Sequence, residues 1–158
     1  MLSRAAIQGA FIARFHHGEL KSQFTVGQLD KIEAELRTKL PAPYREFACR
    51  YGAAFAPSIL GEIVKKDSDH PDVQNFFGPK EVIDDTKCYW SGGMPEDIIG
   101  FASDCMGNMF GFKRESKVLD DAPVVFFDHD FVDAAEVAPS FDAFLNWYVE
   151  HLTGRIEP

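Results

Sequence analysis

At 158 residues, with 46% hydrophobic and 26% charged side chains, the chain has the composition of one globular domain and needs no disulfide or metal staple to build a core. A formal net charge of −9 argues against electrostatic docking on nucleic acid or on anionic lipid, both of which need clustered Lys and Arg. No apolar run approaches the roughly 20 residues of a membrane span, and Cys49, Cys88 and Cys105 show no CxxC spacing, so a reducing, cytoplasmic setting without metal or cofactor is expected.

The opening stretch, residues 1–18, carries Arg4 and Arg14 but no acid. It reads as a first helix, or as an extension over residues 1–23 ahead of a core at 24–152. Thr25 and Gln28 fit a capping box, with Phe24 and Leu29 placed for a hydrophobic staple. Leu29, Ile32, Leu36 and Leu40 then recur at helical intervals up to Pro41, which cannot continue a helix. Pro43 opens a second stripe of Tyr44, Phe47, Ala48 and Tyr51, terminated by Gly52. Ile59–Val64 is short, apolar and β-branched, and a strand is expected there.

Residues 65–71 read as a charged loop, and Phe76–Trp90 holds a helix carrying Val82 and Ile83 before the turn at Ser91–Pro95. Strands are expected over Ile98–Ser103, Asn108–Arg114 and Val124–Asp128. The first two are joined by a hairpin loop in which Gly107 is free to take a positive φ. An extended piece at Ala135–Val137 leads to the last helix, capped by Ser140 and striped by Phe141, Phe144, Leu145, Tyr148, Val149 and Leu152, with Gly154 as its end. Helices at both ends of a run of hairpin-linked strands make a single α+β domain. Its antiparallel-rich sheet has about four to six strands, covered on one face by the N-terminal helices and a C-terminal helix.

The charge is unevenly divided: residues 1–66 sum to +4 and residues 67–158 to −13. Such a split places a negative potential on one side, able to steer a cationic partner. Catalytic signals are weak by comparison. Asp128, His129 and Asp130 gather metal-ligating types at a strand end, yet alternate side chains of a strand point to opposite sides, and no further ligand is identified by spacing. A small metal-dependent hydrolase centred on Asp128 and His129 is therefore the weaker alternative, and a solvated turn the expected outcome. Cys105 sits between Asp104 and Met106, where a carboxylate raises a thiol pKa, so a turn or core role is expected. His16, His17 and His70 have no partner in register and read as surface residues. Trp147 belongs to the packing of the last helix. Trp90 reads either as a lid on the core or as an exposed interface anchor with an acidic rim.

Four stretches, in this order, carry a family resemblance. They are Leu40-Pro41-Ala42-Pro43-Tyr44-Arg45-Glu46-Phe47 with Tyr51-Gly52-Ala53-Ala54-Phe55; Ile98-Ile99-Gly100-Phe101-Ala102-Ser103-Asp104 with Gly107-Asn108; Val124-Val125-Phe126-Phe127-Asp128-His129; and Val137-Ala138-Pro139-Ser140-Phe141-Asp142-Ala143-Phe144-Leu145. In these the chain resembles the SUKH superfamily, which includes fungal regulators of cell-wall assembly and bacterial immunity proteins. The likeness runs from about Phe24 to Leu152. It departs from the pattern at Gly52-Ala53-Ala54, where Asn-Gly is common, and at Gly100, where Pro is common.

The resemblance implies a non-enzymatic protein that binds a protein partner, with no catalytic residue to carry over. Bacterial members of the superfamily typically neutralise a cognate toxin, often a nuclease or deaminase. Since a nuclease has a basic substrate site, an acidic immunity protein suits it by charge. The expected binding surface draws on residues 81–97 and 128–136: Asp84, Asp85, Trp90, Glu96, Asp97, Asp128, Asp130, Asp133 and Glu136. A regulatory scaffold like the fungal members, which carry long disordered arms, ranks second for a sequence that reads as compact throughout.

Overall fold

The computed structural model describes residues 2–153. Its elements are α1 (Arg4–Phe15), α2 (Val26–Leu36), α3 (Ala42–Tyr51), α4 (Ile59–Lys65), β1 (Asn75–Phe76), α5 (Pro79–Ser91), β2 (Ile98–Ser103), β3 (Met109–Lys113), β4 (Val124–Asp128), β5 (Asp133–Ala138) and α6 (Phe141–His151). The five strands pair antiparallel in chain order, so β1 and β5 are the two edges. This is the expected α+β domain.

Local chemistry explains most of the helix ends. Thr25 accepts the Gln28 amide while the Gln28 side chain accepts the Thr25 amide, the reciprocal capping box at the start of α2, and Phe24 and Leu29 on either side of it are both buried. Ser3 and Ser140 cap α1 and α6 through their hydroxyls. Gly52 ends α3 at φ 64°, where a Cβ would collide with the Ser22 carbonyl, so only glycine fits. Helix α2 stops at Leu36, one turn short of the expected Leu40, because Arg37 turns left-handed at φ 53°. Leu40 is buried all the same: the buried Glu33 carboxylate accepts its amide at 2.8 Å and pairs with Arg45 at 2.8 Å, tying the turn after α2 onto α3. Gly154, the expected end of the last helix, lies outside the described residues; α6 ends at His151 as Leu152 becomes extended.

One expected strand is a helix. Ile59–Lys65 forms α4, with Ile59 and Ile63 buried one turn apart while Leu60 and Val64 face outward. A spacing of four that buries two residues decides helix here over the β-branched composition.

Aromatic rings fill the space between the sheet and α1, α3 and α6. Phe101 stacks on Phe112 at 4.6 Å, Tyr44 lies 5.4 Å from both, and Phe110 meets Phe144 at 5.2 Å. Alternation along β3 and β4 sends Met109 and Phe127 to the opposite face, where Tyr89 of α5 meets Phe127 at 6.5 Å and Thr86 accepts the Gly100 amide at 3.0 Å. Helix cover is thus on both faces, with α5 on the second and α2 packed against α5, rather than on one. Helix α1 packs along α6: Phe11 is fully buried against Tyr148 at 6.0 Å and Phe76 at 5.7 Å, and Arg4 holds Asp142 at 3.1 Å.

Candidate protein-binding site

The tips of two adjacent hairpins meet at one end of the sheet. In the β2–β3 turn the buried Asp104 carboxylate accepts the amides of Met106 and Asn108, both at 2.8 Å, and the Asn108 side-chain amide at 2.9 Å, while Gly107 takes φ 83°. In the β4–β5 turn Asp128 accepts the amides of Asp130 at 2.9 Å and Phe131 at 3.2 Å, its carboxylate standing in for a backbone acceptor. The tips are joined to each other: Asn108 Oδ1 accepts the His129 amide at 3.1 Å, and His129 Nε2 donates to the Met106 carbonyl at 2.9 Å. That bond, then the carboxylates of Asp130 and Asp128, hold the His129 pKa above its ordinary value. Met106, Phe131 and Val132 project from the paired tips, 69%, 81% and 55% exposed.

The nine residues expected on the binding surface fall into two groups with different electrostatics. On α5 and the turn after it, two of the charges are already answered within the fold. Asp84 pairs with Lys80 and Asp97 with Lys113 at 3.2 Å, while the Arg114 guanidinium donates to the Glu96 backbone carbonyl at 2.6 Å and leaves the Glu96 carboxylate without an ion-pair partner among the described residues. Asp85 is half-buried, and burial, then Glu81 and Asp84, push its pKa up. Trp90 is half-buried too, its Nε1 donating to the Ile98 carbonyl at 2.8 Å and Arg114 lying 5.3 Å over its ring. It is tethered to the end of β2, as a lid would be, and its ring is occupied.

The second group, Asp128, Asp130, Asp133 and Glu136, flanks the hairpin tip. Among the described residues, His129, 3.5 Å from Asp130, is the one basic side chain in ion-pair range of any of the four. These carboxylates have no Lys or Arg partner in ion-pair range among the described residues. Three apolar residues among them, Met106, Phe131 and Val132, were missed by the sequence reading. The readable signal was Phe131-Val132 inside the acidic turn Asp128–Asp133, because a four-residue hairpin loop has no interior in which to bury them.

The arrangement offers little to catalysis. Among the described residues no three His, Cys, Asp or Glu converge as a metal site. Asp128 is spent on turn amides and His129 on a carbonyl. The Cys105 thiol is pushed up by burial and then by Asp72, whose carboxylate lies 3.8 Å away, which opposes thiolate formation. Two histidines expected at the surface do have partners: His16 Nδ1 accepts the Phe55 amide at 3.0 Å, and His70 stacks on Trp147. No helix among the described residues is long and apolar enough to cross a membrane.

No curated protein matches the chain. A model of the SMI1 / KNR4 family (SUKH-1), however, matches residues 23–147, from just before the capping box of α2 to the middle of α6. It takes in every strand, both hairpin tips and the ring-filled core between α3 and the sheet, and the chain therefore belongs to the SMI1/KNR4 (SUKH-1) family.

Proposed function

We propose that this protein is a non-enzymatic binding protein of the immunity type, which neutralises a basic protein toxin by covering its positively charged site. One observation carries the reading: Asp128, Asp130, Asp133 and Glu136 stand on one hairpin, β4–β5, without Lys or Arg partners among the described residues. Charges without a Lys or Arg partner in the free protein are available to a partner without breaking a Lys or Arg ion pair, and they speed association with a surface of opposite sign. A nuclease fits this requirement, since its substrate site must itself be basic. Family membership supports protein–protein interaction and is equally compatible with a regulatory scaffold.

The test is titration of the purified protein with the product of the adjacent gene, followed by stopped-flow kinetics across a salt series. Binding is expected, with an association rate that falls steeply between low and physiological ionic strength and a dissociation rate that changes little. Replacing the four carboxylates by their amides is expected to remove most of that salt dependence. No binding would dismiss the immunity role. Tight binding indifferent to salt would dismiss its electrostatic basis.

A further inference from the structure

We infer that the joined hairpin tips form a single anchor, in which Phe131 enters an apolar pocket whose rim is Lys- or Arg-rich on the partner protein. The inference rests on the reading that the hairpin end binds a basic protein and names the part of it that supplies grip. Folding gives no reason for Phe131: at 81% exposure it contributes almost nothing to the core, and a large exposed aromatic invites aggregation. Val132 beside it is held at φ 51°, a left-handed conformation that β-branched side chains avoid and that Gly or Asn would adopt without strain. Strain of this kind persists where the surroundings enforce it, and it concentrates at binding surfaces.

The enforcement is visible. Asp128 ties down the amides of Asp130 and Phe131, and His129 is fixed to Met106 and Asn108 of the neighbouring tip. From below, Gly93 approaches so closely that a Cβ there would lie 3.3 Å from Val132 Cγ1. The turn therefore presents Phe131 on a backbone already ordered before a partner arrives, which lowers the cost of association. The exposed apolar trio ringed by carboxylates has the anatomy of an interface centre with a charged rim. The sign of the rim selects the occupant. Phosphate backbones are repelled, and a two-fold pairing of this face with itself would oppose two sets of carboxylates. A basic protein surface satisfies both the charge and the ring.

The test is an NMR titration of the isotope-labelled full chain with two synthetic probes of equal charge, one alternating Lys and Leu and one of Lys alone. The Lys-Leu peptide is expected to shift residues 104–108 and 128–134 and to bind about tenfold more tightly than the Lys peptide. In the Phe131→Ser variant, whose remaining spectrum should be unchanged because the side chain is exposed, that advantage is expected to vanish while the weak Lys-peptide contact stays. Equal binding of the two probes, or shifts centred on residues 26–50, would overturn the anchor. So would concentration-dependent shifts at the tips without peptide, which would make a second copy the occupant. The two ideas fail separately: a toxin bound equally well by Phe131→Ser leaves the immunity reading standing and removes the anchor, whereas localised peptide binding without any toxin binding does the reverse.

Discussion

His70 lies flat on Trp147, ring centres 3.6 Å apart and planes 13° from parallel, and Trp147 stacks in turn on His151 at 4.8 Å. Its Nε2 is buried with no hydrogen-bond partner among the described residues, so a proton taken up there would sit unpaired and out of water. Burial, followed by His151, lowers the His70 pKa from the usual 6.5 to about 4, against an opposite pull from Asp69. As the pH falls below 6.5 the unfolded chain takes up this proton first. The stability contributed by neutral His70 is thus present above 6.5 and lost as the pH falls through about 4. Urea unfolding at about pH 7 and about pH 4.5 should show a smaller acid loss for His70→Gln than for the natural protein. Equal losses would mean that the imidazole is as free to charge in the fold as outside it.

At the scale of elements, α4 is where local preference and tertiary packing disagree. Its sequence Ile-Leu-Gly-Glu-Ile-Val-Lys is rich in strand formers, but only Ile59 and Ile63 find the core, and a strand would have put them on the same face as Gly61. Gly61 faces open space, with nothing within 4 Å of where its Cβ would lie. Gly61→Ala is therefore expected to stabilise the protein by about 0.5–1 kcal/mol, since it removes unfolded-state freedom and adds no contact. Thermal or denaturant unfolding measures this, and a loss of stability would count against the helix. The same reasoning explains why the two hairpin tips matter together: each turn closes with its own carboxylate, but the bonds from His129 to Met106 and Asn108 make them one surface.

For the whole molecule, the question is where the core ends. The family match begins at residue 23, yet α1 lies ahead of it with Phe11 fully buried against Phe15, Phe76 and Tyr148. We expect α1 to unfold with the rest as one unit. Phe11→Ala should then cost about 3–5 kcal/mol in a single cooperative transition. A cost below about 1 kcal/mol would make α1 an appendage laid on a finished core. The charge division also works at this scale. Part of the negative half of the sequence is answered internally, as in Asp97–Lys113, or by the positive half, as in Arg4–Asp142. Among the acids without a Lys or Arg partner, Asp128, Asp130, Asp133 and Glu136 share one hairpin.

Helices α2, α3 and α6 and the β2–β3 hairpin were legible in the amino-acid sequence, because capping residues, proline, turn glycine and apolar periodicity act over a few neighbouring residues. So was the family, through the order of those signals from Leu40 to Leu145. The conformation of Ile59–Lys65 and the second helical layer were decided by tertiary structure, since both depend on which face a distant element offers. The candidate surface depends on both sequence and tertiary structure. Nine residues could be named from charge, but whether a carboxylate is free or spent depends on partners such as Lys113 for Asp97, which come together only when β2 and β3 pair. Phe131 gains its meaning the same way: its exposure is set by a turn held from a neighbouring hairpin more than 20 residues earlier, a coupling that no local pattern encodes.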